Sequence, residues 1–145
     1  MTSNAKRIHG RCLCGAVKVS VVPSSKGLSA CSCDMCRQHT SSVFIAVQAN
    51  PETATVEGPA KSFRSSDWAE RGFCEVCGST LWYGTVHDGA RYLAAGLFEN
   101  AGDLTVGLEF FADQSPEGYH LSGDHKRLSS AETIAMFADE QAGDA

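Results

Sequence analysis

The feature that most constrains this chain is the placement of its seven cysteines, which fall into three short clusters. The clusters read Cys12-Leu13-Cys14-Gly15, Cys31-Ser32-Cys33-Asp34-Met35-Cys36 and Cys74-Glu75-Val76-Cys77-Gly78. Thiolate is a soft ligand that suits zinc, and a structural zinc site is closed by four protein ligands in a tetrahedron. The two clusters that end in glycine offer four sulfurs together, and the middle cluster offers three. The spacing therefore predicts one closed zinc site and one site with an open fourth position, which is typical of catalytic zinc.

Metal binding explains these cysteines better than disulfides do. A chain of 145 residues can bury a core without disulfide staples, and an odd number of cysteines cannot pair completely. The first seven residues include two basic side chains, but no apolar run follows them, so we expect neither a signal peptide nor a transmembrane span. We therefore predict a cytoplasmic protein, a setting in which clustered cysteines are more often metal ligands.

The charge distribution excludes one class of partner. The net charge is −5 at pH 7, and the 12 basic residues are scattered along the chain. Proteins that bind nucleic acid neutralise phosphates with clustered lysine and arginine. We therefore predict no nucleic-acid partner, and because we expect no transmembrane span we also predict no membrane partner.

The hydrophobic pattern predicts a mainly β chain with little helix. Apolar residues alternate with polar ones over residues 16–21, which indicates a half-buried strand. Further strands are predicted at residues 43–47, 54–56, 61–64, 79–86, 91–95, 104–106 and 108–111, with turns at residues 24–27 and 87–90. A short helix capped by the Asp34 carboxylate is predicted through Cys36, Arg37 and His39, and a second over residues 130–137 with Ser130 as its N-cap. We predict one zinc domain over residues 8–128, followed by a C-terminal helix and a frayed tail over residues 129–145.

The four-cysteine set is predicted to bind a structural zinc ion. Its members are Cys12, Cys14, Cys74 and Cys77, and a glycine follows each pair, which permits the turn that directs amide groups at sulfur. Such an ion contributes about 10–16 kcal/mol of apparent binding free energy, comparable to the whole stability of a domain. The alternative is a redox dithiol at Cys74 and Cys77, but no βαβ pattern surrounds this pair.

The three-cysteine set, Cys31, Cys33 and Cys36, is predicted to bind a catalytic zinc ion. Zinc with an open position would hold a small thiol as its thiolate, which is the nucleophilic form. One alternative is a closed structural site in which His39, three residues after Cys36, supplies the fourth ligand. Another is that these cysteines are only small buried apolar residues, which their density disfavours.

The three motifs in this order resemble the glutathione-dependent formaldehyde-activating enzyme family, also called the CENP-V/GFA domain. The last motif is Arg71-Gly72-Phe73-Cys74-Glu75-Val76-Cys77-Gly78-Ser79, preceded by Ser65-Ser66. Ala95-Gly96-Leu97-Phe98 is similar to the segment before the family's last strands. The resemblance extends over about residues 10–124, and three spaced motifs make chance agreement improbable.

The resemblance implies a β-tent fold of packed antiparallel β-sheets with zinc knuckles and two zinc ions, divided among the cysteines as above. The family's namesake activity joins formaldehyde to the thiol of glutathione and gives S-hydroxymethylglutathione. The chain departs from the family's motifs at three places. Ser32 replaces a histidine of the second motif, Leu108-Glu109-Phe110 stands where a histidine is common, and Tyr119 replaces a tryptophan.

We therefore predict a zinc-dependent carbon–sulfur lyase or synthase that acts on an adduct of glutathione or another small thiol. The alternative is a non-catalytic zinc module that binds thiols or a protein partner. The candidate cationic partners for the carboxylates of glutathione are Arg37, Arg64 and Arg71, although each one alone is better explained as a solvated surface or strand-edge residue. His87, His120 and His125 can titrate near neutral pH, and no sequence feature selects one as a base. The aromatic residues Trp82, Tyr83, Phe110 and Phe111 are predicted to be core or interface.

Overall fold

The computed structural model describes residues 6–143, with side chains described through residue 138. This part of the chain forms 11 strands and two α-helices, which confirms the predicted mainly β class with little helix. The strands are β1 (Ile8–Arg11), β2 (Lys18–Val21), β3 (Pro23–Cys31), β4 (Phe44–Ala49), β5 (Thr55–Glu57), β6 (Ala60–Arg64), β7 (Ala69–Cys74), β8 (Thr80–Thr85), β9 (Arg91–Leu93), β10 (Val106–Phe110) and β11 (Lys126–Arg127). The helices are α1 (Asp34–Thr40) and α2 (Ser130–Gly143), and short 3₁₀ turns lie at Pro51–Thr53, Ala95–Leu97, Glu99–Asp103 and Ala112–Gln114. Neither α-helix in the described chain has the length and apolar character needed to cross a membrane.

The described residues form two compact units. The first unit contains the residues up to Leu28 together with Ile45–Thr105, and it carries Cys12, Cys14, Cys74 and Cys77. The second unit contains Ser29–Phe44 together with the residues from Val106 onward, and it carries Cys31, Cys33 and Cys36. Each predicted ligand set therefore lies within one unit.

The first unit contains two antiparallel sheets. A three-stranded sheet has the order β1-β2-β5, and Gly10 of β1 pairs with Val19 of β2. Val17, Val19 and Val21 are all buried, which explains the period-two pattern of this segment. Ser20 between them is also buried, and it is hydrogen-bonded to Arg7 and Thr55.

The other sheet of the first unit has the order β6-β7-β8-β9. Its strands pair antiparallel in sequence order, and β8 and β9 form the predicted hairpin. Gly72 of β7 lies opposite Trp82 of β8, and a Cβ atom at residue 72 would lie 2.2 Å from the indole ring. Only glycine leaves room for the buried tryptophan at this register.

The second unit is organised around β10. β10 lies in a sheet of order β11-β10-β3-β4 and pairs parallel with β11. Polar side chains are fully buried in this unit, among them Ser32, Glu109 and Thr133. Because buried polar groups require partners, these residues mark the hydrogen-bond network described below.

Three local predictions need correction. Residues 24–27 were predicted as a turn but belong to β3, where Gly27 has a φ of 73° and the Leu28 amide donates to the Thr105 carbonyl. The N-cap of α2 is Ser129 rather than Ser130. The Ser129 hydroxyl accepts from the Glu132 amide while the Glu132 carboxylate accepts from the Ser129 amide, which is a capping box. The helix also continues past residue 137 to Gly143, and residues 144–145 of the predicted tail lie outside the described residues.

Candidate metal centres

The structure brings the first and third cysteine clusters together within the first unit. The sulfurs of Cys12, Cys14, Cys74 and Cys77 all lie within 4.8 Å of one another. The Cys12 and Cys14 sulfurs are 3.6 Å apart, and those of Cys14 and Cys74 are 3.9 Å apart. Cys12 follows β1, whereas Cys74 is the last residue of β7. Sulfurs at such separations surround a space that a tetrahedral ion with Zn–S bonds of about 2.3 Å would fill.

Two tight turns present these sulfurs. Gly15 and Gly78 follow the two cysteine pairs and adopt positive φ values of 82° and 78°. Their amides donate to the carbonyls of Cys12 and Cys74, at 3.1 and 2.9 Å. Nothing lies within 4 Å of a Cβ atom built at Gly78, so the backbone conformation rather than space requires glycine there.

Backbone amides in both turns also point at sulfur. The Val17 amide donates to the Cys12 sulfur at 3.3 Å, and the Cys77 amide donates to the Cys74 sulfur at 3.4 Å. Such N–H groups stabilise thiolate over thiol, and they are the outer partners that orient a metal ligand. The donor set therefore suits a soft divalent ion such as zinc.

Ser79 is a residue whose role at this site the sequence reasoning did not assign. Its hydroxyl lies 3.1 Å from the Cys77 sulfur and accepts the Leu13 amide at 3.0 Å, so it joins the two turns. The Ser79 hydroxyl and then the Ser79 backbone lower the pKa of the Cys77 thiol to about 5. The serine after a Cys-x-x-Cys-Gly sequence was the available signal, because a hydroxyl placed there can donate to the second sulfur.

The second unit brings Cys31, Cys33 and Cys36 together. Their three sulfurs lie within 4.8 Å of one another, and all seven cysteines of the chain are thiols rather than disulfides. Cys31 ends β3, Cys33 is the N-cap of α1, and Cys36 is buried in the first turn of this helix. The Cys33 sulfur accepts the Cys36 amide at 3.4 Å. The predicted helix start is thus confirmed, but the cap is a cysteine sulfur rather than the Asp34 carboxylate.

No histidine, carboxylate or fourth cysteine joins this group among residues 6–138, whose side chains the structure describes. His39 lies in α1 but is not a member, so the structure does not assemble the closed set of three thiols and an imidazole. Hydrogen bonds with Cys33 and Cys36, together with burial, raise the pKa of the Cys31 thiol. A cation bound among the sulfurs would reverse this shift, since three thiolates in contact require a positive charge between them.

A buried polar network lies behind the three-cysteine group. The side chain of Ser32, between Cys31 and Cys33, donates to Oε2 of Glu109 at 2.9 Å, and Oε1 of Glu109 lies 2.8 Å from Nε2 of His125. Burial opposes ionisation of Glu109, but hydrogen bonds from His125, Ser32 and Ser115 prevail and lower the pKa of its carboxyl. His125, one of three histidines named from the sequence, is therefore the partner of a buried carboxylate.

The predicted cationic candidates make local contacts. Arg37 donates to the Ser32 carbonyl at 3.0 Å and pairs with Asp34, and Arg64 donates to the carbonyls of Ser66 and Asp67. Arg71 is buried, donates to the Ser65 hydroxyl and lies 4.9 Å from the ring centroid of Tyr83.

The other histidines and the aromatic residues named from the sequence are placed as follows. His87 lies 3.6 Å from Asp88, whereas His120 is exposed. Trp82 is buried beneath the Arg91 guanidinium, and the rings of Tyr83 and Tyr92 stack 6.5 Å apart. Phe110 packs against Phe137 in the second unit, while Phe111 holds a left-handed conformation before a 3₁₀ turn.

Comparison with known proteins places the chain in a family. A model of the family described as "Glutathione-dependent formaldehyde-activating enzyme" matches residues 7–114. An uncharacterized lyase of Schizosaccharomyces pombe is 31% identical over 116 residues, which cover 79% of this chain and 85% of that protein. A crystal structure of a Rhodobacter sphaeroides protein is similar in fold, with a TM-score of 0.54 and 22% identity over 63% of this chain and 88% of the other. The chain therefore belongs to the glutathione-dependent formaldehyde-activating enzyme family.

Proposed function

We propose that this protein is a zinc-dependent carbon–sulfur lyase or synthase whose substrate is an adduct of glutathione or another small thiol, such as S-hydroxymethylglutathione. The observation that carries this proposal is the unequal division of the cysteines, four in one group and three in the other. The family match and the lyase among the relatives support the same class of reaction.

In this proposal the four-cysteine group binds a structural zinc ion. Its sulfurs come from two turns and receive backbone N–H groups, which is the outer shell expected of a closed thiolate site. A fully coordinated zinc offers no position to a substrate, so this group contributes stability rather than chemistry.

The three-cysteine group binds the catalytic zinc ion in this proposal. Three soft sulfur donors fit zinc, and no fourth protein ligand joins them among the described residues. When bound, zinc would supply a positive centre that favours the thiolate form of an incoming thiol. Cys31, Cys33 and Cys36 would bind the ion, and the Cys36 amide, which donates to the Cys33 sulfur, would favour negative charge on that sulfur.

The reaction needs little proton transfer by side chains. In the synthetic direction the substrate sulfur forms a bond to the aldehyde carbon, and the electron pair of the C=O π bond moves to oxygen. The proton lost by the thiol is then accepted by that oxygen, so the product contains all atoms of both reactants. The protein's part is to favour the thiolate and to hold the two reactants in line. Since the chemistry needs reduced thiols, we also propose a reducing compartment such as the cytoplasm.

The experiment counts zinc per chain and then adds glutathione while zinc–sulfur coordination is followed by X-ray absorption. We expect two zinc ions, one of which gains a sulfur ligand from glutathione. S-methylglutathione, whose sulfur cannot form a thiolate, is the matched ligand control and should change nothing. If two zinc ions are bound and the sulfur coordination of neither changes on addition of glutathione, the result would instead support a non-catalytic zinc module.

A further inference from the structure

The buried carboxylate of Glu109 is the centre of a network that serves no metal directly. Its side chain is 2% exposed, and Oε2 accepts from the hydroxyls of Ser32 at 2.9 Å and Ser115 at 3.2 Å. Oε1 lies 2.8 Å from Nε2 of His125, which is 3% exposed, and 3.7 Å from Nε of Arg127. A buried charge is costly unless it is paired and hydrogen-bonded, and here both requirements are met.

Ser32 is the point at which this network reaches the cysteines. Successive side chains of extended backbone point to opposite sides, so Cys31 and Cys33 share one side and Ser32 faces the other. Ser32 is fully buried, and its amide donates to the Phe110 carbonyl at 3.1 Å while its carbonyl accepts Nε of Arg37 at 3.0 Å. Two adjacent residues of β10 therefore hold Ser32: Glu109 binds its side chain, and Phe110 binds its backbone amide.

We propose that Glu109 is a positioning residue for the three-cysteine site: acting through the Ser32 hydroxyl, it fixes the Cys31–Cys33 segment so that the sulfurs converge before metal binds. This inference rests on the proposed metal role of the three cysteines. It adds a carboxylate that touches neither the ion nor the substrate but sets the ligand geometry.

The physical reason is that converging thiolates repel one another. A metal site built from three such ligands needs a backbone that is held in place, because outer partners control both ligand orientation and affinity. Cys33 is the N-cap of α1 and Cys36 lies in its first turn, whereas Cys31 ends a strand, so the peptide between Cys31 and Cys33 determines their relative placement. Ser32 is the residue of that peptide, and its hydroxyl is anchored to Glu109.

The test uses the full-length protein with zinc in the four-cysteine site and Co²⁺ in the three-cysteine site. Cobalt bound by thiolates gives visible absorption bands that report ligand geometry. We expect Ser32→Ala to weaken Co²⁺ and Zn²⁺ binding at this site by about 10–100-fold and to shift the cobalt bands. Zinc in the four-cysteine site should be retained and serves as an internal reference.

The matched control is Thr133→Val. Thr133 is fully buried in the same unit. Its hydroxyl donates to the Ser129 carbonyl and accepts the Phe111 amide, and neither hydrogen bond involves Ser32 or Glu109. This variant loses buried hydrogen bonds of similar kind but should keep the cobalt spectrum and the metal affinity. A spectrum changed equally by Thr133→Val and Ser32→Ala would overturn the proposal, because the effect would then be general loss of structure.

Glu109→Gln tests whether the carboxylate acts through Ser32. The glutamine side chain keeps the shape of glutamate and one acceptor oxygen, so this variant can still be measured if Ser32→Ala does not fold. We expect Glu109→Gln to shift the same bands, and the double variant to lose no more affinity than the stronger single variant. Additive losses of metal affinity, or unchanged cobalt bands in both single variants, would refute the positioning role while leaving the metal site itself intact.

A wild-type protein that binds only one ion per chain would instead refute the proposed function, and this inference with it.

Discussion

The Ser79 hydroxyl lies 3.1 Å from the sulfur of Cys77, and this contact is the main cause of the lowered pKa of the Cys77 thiol. The same oxygen accepts the Leu13 amide, so one side chain bridges both turns of the four-cysteine site. Thiolate character is what a metal ligand needs, and the Ser79 hydroxyl favours it at Cys77.

Replacing Ser79 with alanine should raise the pKa of the Cys77 thiol from its value of about 5. Because a cysteine must be deprotonated to bind metal, the four-cysteine site of Ser79→Ala should release zinc at a higher pH than that of the wild type. Zinc release during an acid titration, followed with a colorimetric chelator, measures the difference. Ser79→Thr keeps the hydroxyl and is the control that should release zinc like the wild type; equal release in Ser79→Ala and wild type would contradict the assigned contact.

Cys74→Ser and Cys36→Ser should have different consequences although both cysteines are buried. Cys74→Ser breaks the four-cysteine site, so we expect most of the folding stability to be lost, since a structural zinc supplies about 10–16 kcal/mol of apparent binding free energy. Cys36→Ser should leave a folded protein with one zinc ion. Thermal unfolding and metal analysis of both variants measure this, and an equal loss of stability would show that the two groups do not differ in role.

Gly72→Ala should destabilise the first unit because the new methyl group would lie 2.2 Å from the Trp82 ring. Overpacking of this kind costs about 1–3 kcal/mol in the free energy of unfolding, which urea titration followed by tryptophan fluorescence would measure. Gly96→Ala is the matched control, since no atom lies within 4 Å of a Cβ atom at that residue. The prediction fails if the two variants unfold at the same urea concentration.

The Glu109 carboxyl should make stability depend on pH on the acid side. Its pKa is lowered in the folded state, so its stabilising effect is present above the ordinary glutamate pKa of about 4.3 and is lost as the pH falls through the lower folded value. Urea unfolding at several pH values between about 6 and 3 should show this loss in the wild type. Glu109→Gln, compared in the same metal state, should show a shallower decline, and parallel curves would argue against the shift.

Local sequence rules predicted much of this fold. Alternating valines identified β2, turn residues identified the hairpin of β8 and β9, and the cysteine spacing anticipated which sulfurs meet. They did not reveal β7, because its residues Glu70, Arg71 and Gly72 lack the alternation of a half-buried strand. The capping box at Ser129 and Glu132 could have been read from its Ser-x-x-Glu pattern.

The network behind the three cysteines could not be predicted in this way. Ser32 and Glu109 were each noted as departures from the family's motifs, but 77 positions separate them, and no periodicity links residues so distant. Their contact arises because β10 pairs with β3 in one sheet, and this pairing is a property of the tertiary structure. The pairing of Glu109 with His125 likewise required coordinates.

The sulfurs of Cys14 and Cys74 are in contact although 60 positions separate them. An ion bound there would act as a cross-link that closes a long loop, and closing such a loop removes conformational entropy from the denatured chain much as a disulfide does. Because that loop contains Cys31, Cys33 and Cys36, we expect metal uptake to be sequential. An ion in the four-cysteine site would restrict the conformations of the loop. The second ion would then bind Cys31, Cys33 and Cys36 at a smaller cost in chain entropy.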